Sequence, residues 1–450
     1  MTEKLPSGWK VEKLGDVVDI LDSKRVPINS KERETRHGPI PYYGATGQVG
    51  WIDDFLFDEE LVLLGEDGAP FFDSAKQKAY VIRGKSWVNN HAHVLRAKNG
   101  IPNAYIKYYL DIVDYHGFVT GTTRHKLNQA AMRQIPIPVA PSDQQKRIVA
   151  EIEKQFSRLD ETVANLKRVK ANLKRYKAAV LKAAASGRLV ETEAERARRE
   201  GRGFETGAQL LQRILETRRS QWQGKGKYKE PAAPDTTDLP ELPEGWVWAT
   251  LPQLGELNRG KSKHRPRDDE RLYGGPYPFI QTGDVRKSDG AITGYSQTYS
   301  EFGLQQSRLW PVGTLCITIA ANIAETGILK FSACFPDSVV GFLIEDGATT
   351  TQYVNFFIRT AREKLERLAP ATAQKNINLE VLGAVAVPLP PLAEQHRIVA
   401  EVDRRLTLLR ATEAQVNANL QRAERLRQSI LAQAFSGRLK LSEKSVGGVV

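Results

Sequence analysis

The chain repeats itself. LPSGW at 5–9 returns as LPEGW at 242–246, an offset of 237. QKRIVAEIEKQFSRL at 145–159 returns as QHRIVAEVDRRLTLL at 395–409, and SGRL at 186–189 returns at 436–439, both at an offset of 250. Weaker echoes lie between. Thr46-Gly47 and Val49 match Thr282-Gly283 and Val285, AYIKYYL (104–110) resembles QYVNFFI (352–358), and Asn128 falls opposite Asn378. Self-similarity at so long a period divides 450 residues into two copies of one unit rather than one large core. Each unit is a mixed region followed by a long polar–apolar segment. The change of offset makes the second mixed region 13 residues longer. Ends that match around middles that diverge predict a shared scaffold carrying two different surfaces.

The long segments read as helices. In the first, Ile148, Ile152, Phe156, Leu159, Val163, Leu166, Val169, Leu173, Tyr176 and Val180 recur every three or four residues. In the second, Ile398, Val402, Leu406, Leu409, Val416, Leu420, Leu426 and Ile430 repeat the stripe. That spacing is near-heptad. Pro141 and Pro391 precede the helices, and Gly187 and Gly437 follow them, the expected punctuation. Each helix is ~45 residues, roughly 65 Å long. A stripe of that length needs a partner of similar length, and the other copy provides it. An intramolecular antiparallel coiled coil is expected, with pairing in trans in a homodimer as the alternative. Its interface is assigned to Ile152, Phe156, Leu159, Val163, Leu166 and Leu173 against Val402, Leu406, Leu409, Val416, Leu420 and Leu426.

The mixed regions alternate short apolar runs with glycine turns. Strands are predicted at 39–47, 60–68, 78–84 and 86–96 in the first, and at 276–284, 313–320 and 338–346 in the second. Helices are predicted at 101–113 and 350–368. Both regions are α/β or α+β without regular βαβ alternation. The boundaries fall at 1–141, 142–189, 190–241, 242–391, 392–440 and a flexible tail at 441–450. Segment 190–241 holds a charged stretch, an amphipathic helix over 206–222 and a proline-rich connector.

The net charge of +12 and pI near 9.4 favour a polyanionic partner. The excess is uneven. Residues 142–189 carry 12 Lys/Arg against 5 Asp/Glu, whereas 1–141 carry 18 against 17. The basic helix is either a solvated coiled-coil face or a surface along a nucleic-acid backbone or an acidic partner. Loops give a sharper signal. Arg259–Arg271 holds six Lys/Arg in thirteen residues, with a smaller counterpart at Ser23-Lys24-Arg25. GTTRHKLNQ (121–129) and PATAQKNINLE (370–380) occupy matching places in the two copies. Arg, Lys, Asn and Gln donate to phosphates and read base edges.

Catalytic signatures are missing. The chain has no glycine-rich nucleotide fingerprint, no phosphate loop and no Asn-Pro-Pro-aromatic motif; PLPPL at 388–392 lacks the asparagine. His91 and His93 would alternate along a strand and share one face with no third ligand in view, so no metal site is expected. Cys316 and Cys334 read as small core residues. No signal peptide or ~18-residue apolar run is found, so a cytoplasmic protein is expected.

The tandem layout, the two LPxGW openings, the runs PVAPSDQQKRIVAEIE (138–153) and PLPPLAEQHRIVAEVD (388–403) and the paired SGRL endings resemble the specificity subunit of type I restriction–modification enzymes. The resemblance covers all but the last residues. It implies two target recognition domains, one per half of a bipartite, asymmetric DNA sequence, spaced by paired helices. It implies a subunit without catalysis, docking two modification (methyltransferase) subunits and restriction subunits. Those partners would bring S-adenosylmethionine, ATP and Mg, and this chain would bind no cofactor itself. Carried onto this sequence, DNA contacts fall at Lys24, Arg25, Tyr43, Gly44, Thr46 and Gln48, and at Thr123, Arg124, His125 and Lys126. In the second copy they fall at Lys261, Lys263, His264, Arg265, Arg267, Gln281, Thr282 and Asp284, and at Gln374, Lys375 and Asn376. Rival readings are an RNA-binding coiled-coil protein, an S-like module of a stand-alone nuclease or methyltransferase, and a structural adaptor.

Overall fold

The computed structural model describes residues 5–224, 226–320, 322–344, 349–368 and 376–441. It divides into two units: 1–170 with 414–450, and 171–413. Each unit takes one mixed region and parts of both long helices, which run Ser142–Ala185 and Leu392–Phe435.

In the first unit two four-stranded sheets share a layered core. One runs Val18–Ile20, Ala92–Ala97, Leu61–Gly65, Ala79–Ile82 in spatial order, all antiparallel. The other runs Gly47–Ile52, Ile40–Gly44, Lys85–Val88, Phe57–Asp58, with one parallel pair. Leu61–Gly65 is buried along its whole length because it has neighbours on both faces. Val62 and Leu64 face the helix Asn103–Leu110 through Tyr105, Ile106 and Leu110. Leu61 and Leu63 face Leu21, Val88 and Val94. That is the period-two alternation of a strand. The predicted strand at 86–96 is two strands broken by a turn at Asn89–His91, so His91 and His93 do not share a strand face.

The second unit is built differently. Its main sheet has five strands, Glu256–Arg259, Val339–Leu343, Leu315–Thr318, Thr326–Leu329 and Gly290–Ile292. Leu315 and Ile317 face the helix Thr351–Leu368, and Cys316 faces Trp310 and Phe335 on the other side. Both cysteines are buried. The strand predicted at 276–284 ends at Phe279, and Thr282–Lys287 is a helix. Thr46-Gly47 sits in a hairpin turn, so its echo at Thr282-Gly283 marks no shared structure.

What the two units share is the mount. Lys10–Lys13 pairs with Pro136–Val139, and Val247–Thr250 pairs with Ala386–Leu389. The Trp9 indole donates to Gln144 at 3.1 Å, and the Trp246 indole to Glu394 at 3.1 Å. Tyr105 donates to the Pro138 carbonyl and Tyr353 to that of Pro388. Asn128 and Asn378 each cap a short helix, accepting from Ala131 and Val381 amides. The repeated glycines close the mount. Gly187 and Gly437 end the helices at φ +67 and +72, in the left-handed region that glycine enters freely. A Cβ on Gly187 would meet the Pro243 ring, and one on Gly437 the Pro6 ring. The end of each long helix therefore packs on the LPxGW opening of the other copy.

Within each unit the helices pair antiparallel. Ile148, Ile152 and Phe156 near the start of the first join Ile430, Leu431 and Phe435 near the end of the second. In the second unit Leu173, Val180 and Leu181 join Ile398, Val402, Leu406 and Leu409. Leu159 is partly buried against the first core; Val163, Leu166 and Leu420 are half-buried, and Val416 is buried. Leu426 is exposed, against expectation. The seam instead continues through buried Ala423 and then Arg427, whose guanidinium lies 4.5 Å from the Phe156 ring centre and binds Asp160. Seam positions 416, 420, 423, 427 and 430 keep the three–four spacing, and Leu426 is one residue off it. Val169 and Tyr176 are likewise exposed.

The central segment holds two helices. Thr192 and Glu195 form a capping box for Glu193–Glu200, and Thr206 and Gln209 do so for Gly207–Ser220. The stretch read as merely charged is thus docked structure. Buried Glu193 pairs with Arg397 and Arg202, and its amide donates to Glu394 at 2.8 Å. Burial pushes the Glu394 carboxyl up to about 6, against the Glu193 amide and Trp246. Leu210 and Ile214 join the second core. Among the described residues, no helix is long and apolar enough to cross a membrane.

Candidate nucleic-acid interface

In the first unit the fold gathers the candidate loops into one cluster. Asp22 opens a short turn, Asp22–Lys24. Its carboxylate accepts from the Val94 amide at 2.8 Å and contacts His93 Nδ1 at 2.6 Å. The other His93 nitrogen lies 2.9 Å from the Leu127 carbonyl. Arg25 donates to Glu66 at 2.8 Å and to the Ala92 carbonyl at 2.7 Å. Glu66 also meets Lys126 at 3.6 Å, while Asp67 meets Arg124 at 3.1 Å and His91 at 2.6 Å. The hairpin joins through Asn89, whose amide donates to the Tyr43 carbonyl, and through Tyr80, whose hydroxyl donates to the Gly44 carbonyl at 2.5 Å.

Burial by itself would raise the Asp22 pKa. The hydrogen bond and charge of His93, the Val94 amide and Arg25 together hold it below the usual aspartate value. Asp22, Glu66 and His93 are the one group of three metal-type ligands among the described residues, with ligand atoms within 4.8 Å. The fold thus brings two carboxylates to His93 that spacing along the chain did not reveal. Arg25 already lies on both carboxylates, so the cluster has its cation.

This sorts the candidates. The Arg25 side chain is only 13% exposed and works as a strut. Lys24, Thr46, Gln48, Thr123, Arg124 and Lys126 are exposed. His125 is half-buried, bonded to the Gly121 carbonyl at 3.0 Å and set edge-on to Phe72. Tyr43 is half-buried and Gly44 buried. Asp22, Glu66, Asp67 and Asn89 were missed as organisers. A local signal existed for Asp22 alone, which precedes Lys24-Arg25; Glu66-Asp67 lies between glycines with no basic residue beside it.

In the second unit the basic loop folds on itself. His264 meets Asp269 at 2.7 Å, and Arg265 donates to the carbonyls of Ser262 and His264, both at 2.7 Å. Arg267 reaches Asp337 at 3.1 Å. Lys261 and Lys263 are exposed, with no ion pair to a described residue. Asp284 accepts from the Gln281 amide at 2.9 Å and from Ser296, so it caps its helix rather than facing outward. Thr282 is the first residue of that helix. Arg267, Tyr273, Gln281 and Gln297 line one shallow depression of about 630 Å³ with Asp268 and Glu270. Asn376 bridges Ala320, and the next amide, Ile377, donates to Ile319, which in turn bonds Ser338 beside Asp337. Gln374 and Lys375 lie outside the described residues.

Two loop clusters, each with solvent-exposed amide and cationic side chains, can contact phosphates and base edges. The family model for the type I restriction modification DNA specificity domain matches twice, at residues 6–175 and 243–422. A Haemophilus influenzae chain described as a type I restriction enzyme specificity subunit is 26% identical over 414 residues, spanning 90% of each chain. The specificity subunit of the Escherichia coli type I restriction enzyme EcoDI is 24% identical, over 97% of this chain and 90% of that one. A solved chain from work on assembly and conformational transition of a type I restriction–modification system superposes with a TM-score of 0.67 at 17% identity. It covers 97% of this chain and all of that chain, and speaks to the fold alone.

Proposed function

This chain belongs to the type I restriction–modification DNA specificity family, and on that premise we propose that it reads a bipartite, asymmetric DNA sequence for such a complex. Each mixed region reads one half-site, and the paired helices set the number of unread base pairs between them. The chain performs no catalysis. It acts in the cytoplasm and docks two methyltransferase subunits, which carry S-adenosylmethionine, and restriction subunits, which use ATP and Mg. The long helices and the central segment offer the docking surface.

One observation carries this reading: two recognition surfaces of different architecture stand on one repeated mount. The Trp9–Gln144 and Trp246–Glu394 bonds and the paired glycine–proline contacts are alike, whereas the sheets above them differ in strand number and order. A reader of two unlike half-sites needs unlike surfaces held in like fashion. The test is methylation-sensitive sequencing of cells with and without the gene. One bipartite motif is expected to lose adenine methylation; loss of an undivided motif, or no loss, overturns the proposal.

A further inference from the structure

In the second unit, three basic side chains from three helices converge on one carboxylate. Asp289 sits in the turn between the helix Thr282–Lys287 and the strand Gly290–Ile292. Its Oδ1 accepts from Lys177 at 2.9 Å and from Arg359 at 2.8 Å, and its Oδ2 from Arg410 at 3.1 Å. Lys177 belongs to the first long helix, Arg410 to the second, and Arg359 to the helix Thr351–Leu368 that packs on the five-stranded sheet. The Asp289 carbonyl also accepts from Arg359 at 3.4 Å and from Arg410 at 3.5 Å.

The turn is built for this contact. Asp289 has φ +44, a left-handed conformation uncommon outside glycine. Gly290 follows at φ +103, and a Cβ there would lie 3.0 Å from the Arg359 guanidinium. Fully buried Asn355 reaches the Gly290 carbonyl at 3.5 Å and is itself fixed by Thr326 at 2.7 Å. Partial burial would raise the carboxyl of Asp289, but Lys177 and Arg359 bring it down to about 2, so it is ionised at neutral pH. A single surface ion pair contributes little stability, whereas a network of charges held in good geometry constrains orientation.

We infer that Asp289 is a positioning residue that sets the angle of the second recognition domain on the paired helices, and thereby the half-site separation the protein accepts. The inference rests on the DNA-reading function proposed above. The leverage is sufficient: a swing of about 10° over about 20 Å moves a reading loop by about 3.5 Å, one base-pair step.

The test uses the full-length chain and duplexes carrying its methylated motif with the native unread spacer, one base pair fewer and one more. Asp289→Asn keeps the shape, and asparagine tolerates left-handed backbone. Arg410→Gln removes one strut from a largely exposed side chain and carries the test should Asp289→Asn melt early. Wild type is expected to prefer the native spacer by about tenfold or more, the scale of one mismatched base pair. Both variants are expected to narrow that preference several-fold, while a base change inside either half-site costs them as much as it costs wild type. An unchanged spacer preference in both variants overturns the inference and leaves the reading function standing. An equal loss of affinity on all three duplexes also overturns it, by making Asp289 merely structural. A wild type indifferent to the spacer sinks the reading function and this inference with it.

Discussion

Arg25 shows how one residue's role changes once its neighbours are known. By composition it is half of a Lys-Arg pair in a polar loop. In the folded unit it lies between Glu66, Asp22 and the Ala92 carbonyl, almost out of solvent. Lys24, one residue earlier, is exposed. The two are therefore expected to fail differently. Arg25→Ala removes the largely buried cation from between Asp22 and Glu66, leaving the exposed Lys126 on Glu66, and is expected to cost about 3 kcal/mol, read as a lower urea midpoint. Lys24→Ala is expected to leave the midpoint alone, weaken binding alike on all DNA sequences and lower the salt slope by about 1. Equal stability of the two variants would return Arg25 to the reading surface. Nothing in the local sequence separates them, because the difference lies in a carboxylate 41 residues away.

At the scale of elements, the long helices were legible because their period is local. Spacings of three and four residues specify a face whatever it meets. The face was less legible than the helix. Choosing seam positions by apolar letters picked Leu426 and passed over Ala423, which is buried, and Arg427, whose guanidinium covers Phe156. Leu406→Ala is expected to cost about 3 kcal/mol, as for other buried leucines. Leu426→Ala is expected to stay within about 0.5 kcal/mol, as at other surface positions. Thermal melts of the two proteins decide this, and comparable losses would move the seam back to Leu426. The basic charge of the first helix also resolves in part: Lys177 is committed to Asp289, and Lys170 bonds Asn417.

For the whole molecule, the repeat has a physical reading. LPxGW and SGRL recur because each unit needs a tryptophan to bond the start of one long helix and a proline to receive the glycine that ends the other. Such a mount leaves the sheets between free to differ. Replacing residues 242–391 with the matching region of another family member is expected to change one half of the methylated motif and leave the other, as methylation mapping would show. Movement of both halves, or of neither, would refute modular reading.

Those same repeats mark how far the chain alone could be read. Two copies, two long helices and a shared scaffold followed from residues close in sequence or at one of two fixed offsets, where identity and period carry the information. The sheet orders, the clasp on Asp289 and the split between Arg25 and Lys24 did not. Each depends on partners dozens to hundreds of residues apart, brought together only when the backbone closes, and a charge's role is set by how much water and how many opposite charges then remain beside it.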